Sequence, residues 1–173
     1  MGEMFDTGTA CPDAIGIGAA ASETVLGAGD GAAAALFAHG VPYRFHHLGV
    51  RVPSDRAARR VMRDLGLTAA WVNDLDDHAC RCHFCPGPGL AIELVVPLSE
   101  ASSTNAIPHA LHHVGIEVPR MLDAQRVLGE SGYELTGERP LMIVDRYLVN
   151  FVRPLRLGFL LELVEDRESS WAW

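Results

Sequence analysis

Apolar and polar positions alternate in two well-separated stretches, residues 43–52 and 110–118, and the alternation predicts a β-strand in each. Pro53 and Pro119 follow them, where a missing N–H costs no ladder hydrogen bond. Behind the first stretch, Ser54 is placed as an N-cap. Ala57, Ala58, Val61, Met62 and Leu65 then form a stripe of helical spacing. Behind the second, Met121, Ala124 and Leu128 form the matching stripe, and Gly132 stops it. Three shorter strands are predicted after each helix, over about 69–74, 78–85 and 90–97, then about 133–137, 146–153 and 158–165. The order βαβββ is therefore written twice.

The repetition extends to individual residues. His47-Leu48-Gly49-Val50-Arg51-Val52-Pro53 recurs as His113-Val114-Gly115-Ile116-Glu117-Val118-Pro119, 66 residues on. Ile92-Glu93-Leu94-Val95 recurs as Leu161-Glu162-Leu163-Val164, 69 residues on. Two unrelated motifs in the same order at nearly one offset mark a duplicated module. The predicted organisation is an arm over 1–40, a first module over 41–98, a linker over 99–108, a second module over 109–165 and a tail over 166–173. The arm is rich in Gly and Ala, lacks Arg and lies outside both repeats, so it is expected to be flexible or loosely packed and dispensable for metal binding. Within it Ala32 to Phe37 could form a short helix. Its Gly16-Ile17-Gly18 stretch imitates a dinucleotide fingerprint, but no strand precedes it and no βαβ unit follows.

Each module also places one histidine and one carboxylate at matching positions, His47 with Glu93 and His113 with Glu162. Strand alternation puts His47 on a face with Gly49 and Arg51, and His113 on a face with Gly115 and Glu117. By the same alternation His46 and His112 point to the opposite face. A carboxylate buried between apolar neighbours costs several kcal/mol unless it is paired or metal-bound. Two imidazoles and two carboxylates suit one divalent cation, with Zn, Ni, Co, Mn and Fe all compatible. The run His78-Ala79-Cys80-Arg81-Cys82-His83-Phe84-Cys85 is a separate feature. No distant Cys-x-x-Cys completes a zinc site, and packed, inert cysteines are the expectation.

Composition narrows the partners. The net charge is −8, and all 14 basic residues are Arg. That disfavours nucleic-acid binding and excludes both a lysine Schiff base and a P-loop lysine. No apolar run is long enough to span a membrane, and the N-terminus lacks the basic region of a signal peptide. A cytoplasmic setting is the expectation.

Residues 43–165 resemble the vicinal oxygen chelate superfamily, which includes glyoxalase I, methylmalonyl-CoA epimerases, extradiol dioxygenases and fosfomycin and bleomycin resistance proteins. The similarity to the epimerases rests on Leu111-His112-His113-Val114-Gly115-Ile116-Glu117-Val118, on the run from Glu93 to Ser102, and on Asn150-Phe151-Val152-Arg153-Pro154 followed by Leu161-Glu162-Leu163. The resemblance implies an α+β fold in which two tandem βαβββ modules form a cupped mixed sheet around a metal site. It maps the metal ligands to His47, Glu93, His113 and Glu162. It also gives Arg51 as a substrate-binding residue, matching a glyoxalase arginine that holds a carboxylate. Where some epimerases carry a catalytic Glu, on the strand at 78–85, this chain offers Arg81 or His83.

The implied activity is a metal-dependent isomerase or epimerase that moves an α-proton through an enolate. Glu162 is the first candidate base, and His83 the second if it faces the cup. The substrate would be a small carbonyl, thioester or carboxylate compound, and the assembly a homodimer. Alternatives within the same fold are a glyoxalase-type lyase, an iron-dependent dioxygenase and a non-catalytic resistance protein that sequesters a small molecule.

Overall fold

The computed structural model describes residues 31–107, 109–153 and 158–171. Most of the arm, with Cys11 and Gly16 to Gly18, lies outside the described residues. From there the chain runs α1 (Ala32–Ala38), β1 (Arg44–Arg51), α2 (Asp55–Leu65), β2 (Trp71–Leu75), β3 (Cys80–Cys85) and β4 (Ala91–Pro97). It continues through β5 (Leu111–Glu117), α3 (Met121–Glu130), β6 (Leu141–Ile143), β7 (Tyr147–Val152) and β8 (Leu160–Asp166). The sequence motifs fix the helix ends. Ser54 accepts a hydrogen bond from the Ala57 amide, and Gly66 closes α2 in the left-handed conformation.

All eight strands form one sheet in the order β2-β3-β4-β1-β5-β8-β7-β6. Each module contributes four neighbouring strands. Its opening strand pairs parallel with its last, β1 with β4 and β5 with β8. The modules meet at the antiparallel β1–β5 seam. This is the paired-module cupped sheet implied by the sequence.

One sheet face carries the helices. Val52, Leu94 and Val96 pack with Ala58 of α2, and Ile116, Val118, Leu161 and Leu163 pack with Met121, Ala124, Val127 and Leu128 of α3. The opposite face lines the cup. There Trp71 and Leu75 of β2 pack against the cluster of Ile143, Val149 and Val164, so the two sheet edges approach each other across the interior.

Three departures from the predicted elements have local causes. The predicted strand at 133–137 makes only one bridge, Leu135 to Val152, and the strand is Leu141–Ile143 instead. It pairs with β7 through a turn in which Val144 and Asp145 hold φ of 47° and 56°. Second, β3 begins at Cys80 because residues 76–78 coil into a 3₁₀ turn that ends at Ala79, φ 47°. Third, the arm does not end as a loose segment. Ala32, Ala35 and Leu36 of α1 are buried in the cluster that holds α3. The tail is likewise attached, since the Arg44 guanidinium bonds Ser169 Oγ and lies 4.7 Å from the centre of the Trp171 ring.

Candidate metal centre

The site straddles the β1–β5 seam, and the reason is visible in the register. Gly49 pairs with His113 and Gly115 pairs with His47. Each glycine leaves room for the imidazole of the other module, because a Cβ on Gly49 would collide with the His113 ring and one on Gly115 with the His47 ring. The two His-x-Gly motifs are therefore one reciprocal device. Their rings meet edge to face at 4.9 Å, with the two Nε2 atoms 2.8 Å apart.

The carboxylates come from the flanking parallel strands. Glu93 on β4 pairs with Gly49, and Glu162 on β8 pairs with Gly115. Glu162 Oε2 lies 2.9 Å from His47 Nε2 and 3.4 Å from His113 Nε2. Glu93 Oε2 lies 3.4 Å from His113 Nε2. Opposite each carboxylate stands a phenylalanine, Phe84 beside Glu93 and Phe151 beside Glu162. These rings pack against His47 and His113 at 5.6 and 5.5 Å. The duplication thus includes a Phe pair 67 residues apart, visible in the sequence to anyone extending the repeat through Phe84 and Phe151.

Burial and charge set the protonation of these groups. Burial, then the charge of Glu162, pushes the Glu93 carboxyl up to about 7. Burial pulls His113 down to about 3. Burial also opposes charge on His47, but Glu162 and then Glu93 outweigh it and raise that imidazole. Burial likewise opposes charge on Glu162, and His113 and His47 win, holding it below the ordinary carboxylate value.

His47, His113 and Glu162 fit a metal ion. One donor atom from each falls within 4.8 Å of the others. Glu162 Oε2 is buried and faces both imidazole Nε2 atoms without a well-directed hydrogen bond, a position that a cation would fill. Two neutral imidazoles and one carboxylate are a common donor set for Zn and Fe. Glu93 stands at the edge of this group, within reach of His113 alone among the histidines.

Glu93 and Glu162 open onto a cavity of about 380 Å³. Its walls are largely apolar, with Trp71, Leu75, Val95, Ile143, Val149 and Leu160 contributing. Ser103, Thr104, Ala106 and Ile107 of the predicted linker form another part of the wall. Cys80, Cys82 and His78 also line it, although His78 sits in the 3₁₀ turn rather than on the strand. Cys80, Cys82 and Cys85 are free and buried.

Three residues singled out in the sequence lie elsewhere. His83 does not face the cup. Phe84 shares the face of Glu93, so His83 turns to the helix side, where its Nε2 bonds Asp55 Oδ1 at 3.0 Å. Arg81 turns the same way, to Asp55 and Asp74. Arg51 is not on the cavity wall. Its Nη2 bonds Asn105 Oδ1 at 2.7 Å, and its buried Nε has no partner. Arg153 does line the cavity.

His46 and His112 correct a further expectation. The seam slips twice. Phe45 pairs with Ile116 but His47 with Gly115, and Gly49 pairs with His113 but Val50 with Leu111. His46 and His112 are therefore the extra residues of two β-bulges, and a bulge breaks the face alternation. Each turns its ring beside its neighbour instead of away. His46 contacts Phe84, and His112 lines the cavity.

A sequence profile of the Glyoxalase/Bleomycin resistance protein/Dioxygenase superfamily matches residues 46–144, and the chain belongs to this vicinal oxygen chelate superfamily. No curated protein matches the sequence. Solved structures do. Methylmalonyl-CoA epimerase from Mycobacterium tuberculosis is 25% identical, with a TM-score of 0.61 over 70% of this chain and 87% of that one. A hypothetical protein from Bacillus halodurans is 24% identical, with a TM-score of 0.64 over 75% and 99%. Streptomyces coelicolor methylmalonyl-CoA epimerase, in complex with 2-nitronate-propionyl-CoA, is 18% identical with a TM-score of 0.60 over 71% and 96%. Among the described residues no helix is long and apolar enough to cross a membrane.

Proposed function

We propose that this protein is a metal-dependent isomerase or epimerase that moves the α-proton of a small acyl thioester or related carbonyl compound, in the manner of a methylmalonyl-CoA epimerase. The observation that carries this reading is the convergence of His47, His113 and Glu162 on one point at the wall of a cavity that Glu93 also faces. His47, His113 and Glu162 would hold a divalent cation, with Glu93 as a displaceable fourth ligand, and when bound the cation would supply Lewis-acid polarisation of a substrate carbonyl. The protein's own groups then handle the proton. The sequence favoured Glu162 as base, but Glu162 is within reach of both imidazoles and is the better fixed ligand. Of the two imidazoles Glu93 reaches only His113, and it faces the cavity, so it is the carboxylate better able to leave a cation, take the α-proton and return it. Arg153, rather than Arg51, is the cation placed to meet an anionic group of the substrate. The cytoplasmic setting and the homodimer belong to the same reading, and sedimentation measures the second.

The three-residue donor group supports a second reading. Two His and one carboxylate with open positions are the set used by non-haem iron oxygenases. Solvent-deuterium exchange separates the two. The metal-loaded protein should wash deuterium into the α-position of 2-methylmalonyl-CoA without oxygen, and Glu93→Gln should abolish this while retaining the metal. Full metal loading with no exchange, or turnover that consumes oxygen, overturns the isomerase.

A further inference from the structure

Two histidines stand beside the metal centre without belonging to its donor group. His46 Nδ1 lies 2.8 Å from His47 Nδ1, and His112 Nδ1 lies 2.9 Å from His113 Nδ1. The rings of each pair are almost perpendicular, at 82° and 81°, with centres 5.0 and 5.2 Å apart. The same geometry thus occurs twice, once per module, and each instance is produced by a β-bulge at the same position in the repeat. A bulge sacrifices ladder pairing, and here it does so to bring a second imidazole against the first.

The tautomers follow from the geometry. His47 and His113 present Nε2 toward the centre, each within 3.4 Å of Glu162 Oε2. A neutral imidazole that ligates through Nε2 must carry its proton on Nδ1. The nearest acceptor for that proton is the Nδ1 lone pair of the adjacent histidine. His46 and His112 must then be the opposite tautomer, protonated at Nε2. Their further surroundings differ. His46 is packed against Phe84 and Tyr147 at ring distances of 5.7 and 5.8 Å, whereas His112 lines the cavity.

We propose that His46 and His112 are positioning residues for the metal centre, each accepting the Nδ1–H of the ligand histidine next to it and so locking His47 and His113 in the tautomer and orientation that aim Nε2 at the cation. The inference rests on the metal-site reading above and adds its supporting shell. Metal-bound histidines usually spend the other N–H on a carboxylate, carbonyl or water. Here a second histidine takes that place in both modules.

The test uses the full-length protein with zinc or cobalt as the probe, and the variants His46→Leu, His112→Leu, His46→Asn and His112→Asn. Asn places an oxygen close to where histidine Nδ1 sits, so it keeps the acceptor and discards the rest of the ring. Loss of an outer partner of this kind weakens metal binding about 10–100-fold, and each Leu variant should show that in chelator competition. In the zinc-loaded protein with labelled histidine, the Nδ1–H resonance of the neighbouring ligand should be protected in the wild type and lost in the Leu variant. The visible spectrum of the cobalt protein should shift with it. Each Asn variant should recover affinity to within about threefold of the wild type. A folded Leu variant with wild-type affinity and cobalt spectrum overturns the positioning role and leaves the metal site standing, and so does a folded Asn variant as weak as its Leu counterpart. A wild-type protein that binds neither metal overturns both readings.

Discussion

Adding one methyl group at Gly49 tests the whole arrangement of the seam. An alanine Cβ there would fall against Cε1, Nε2 and Nδ1 of His113. His113 is 1% exposed and bounded by His47, His112 and Phe151, so its ring has no free volume to enter. Forcing a methyl group into such a site costs roughly 1–3 kcal/mol. In a chain of this size each kcal/mol moves the melting temperature by about 2–4 °C, so Gly49→Ala should melt about 2–12 °C below the wild type. Gly115→Ala should do the same through His47. Both should also bind zinc or cobalt more weakly, because the displaced ring is a proposed ligand. Gly129 in α3 provides the contrast, with no heavy atom within 4 Å of its added Cβ. There the same substitution should stabilise by about 0.5–1 kcal/mol, since alanine loses less freedom than glycine in a helix. Calorimetry with and without metal measures both quantities. If Gly49→Ala melts with the wild type and holds the cation equally well, the interlock of ring and glycine does not exist.

Three other outcomes are expected. Leu36 of α1 is fully buried against α3, so Leu36→Ala should cost about 2–5 kcal/mol in a denaturant titration, and deletion of residues 1–40 should lower stability rather than leave it unchanged. Val144 is a half-exposed β-branched residue at φ 47°, a conformation that costs an L-residue about 1–2 kcal/mol, so Val144→Asn should raise the melting temperature by a few degrees. The Arg146 fork holds the Asp166 carboxyl below its ordinary value, through bonds of 2.8 and 2.6 Å. Because that folded-state pKa is depressed, the stabilisation is complete above the ordinary carboxylate range. It is lost as pH falls through the folded value, so Asp166→Asn should flatten the acid limb of a stability–pH curve.

Alternation and repetition carried most of the fold. They located both modules, both main helices, and the face shared by His47, Gly49 and Glu93 and by His113, Gly115 and Glu162, because a strand with one buried face must keep a period of two. Failures fell where that period is broken. Alternation puts His46 and His112 on the wrong face because a bulge inserts one residue, and nothing in a single sequence announces where the ladder slips. The segment at 133–137 had strand-like residues, but β7 takes Leu141–Ile143 through a tight turn whose residues, Val144 and Asp145, carry no glycine to mark it. His83 could be placed on one of two faces by alternation. The register of Phe84 opposite Glu93 decides which face is the cup, and register is a property of the assembled sheet.

The seam has a thermodynamic consequence. The histidines and carboxylates gathered at the candidate centre sit on β1, β5 or a strand bonded directly to one of them, with one imidazole and one carboxylate from each side. A cation gripped there is a rivet through two leaves. Opening the joint separates these side chains in one event, so global unfolding would release the ion, and a bound ion would oppose unfolding. By mass action the rivet lends the fold about 2.7 kcal/mol when free metal stands at a hundred times its dissociation constant. The melting temperature of this protein would then report the free metal concentration around it.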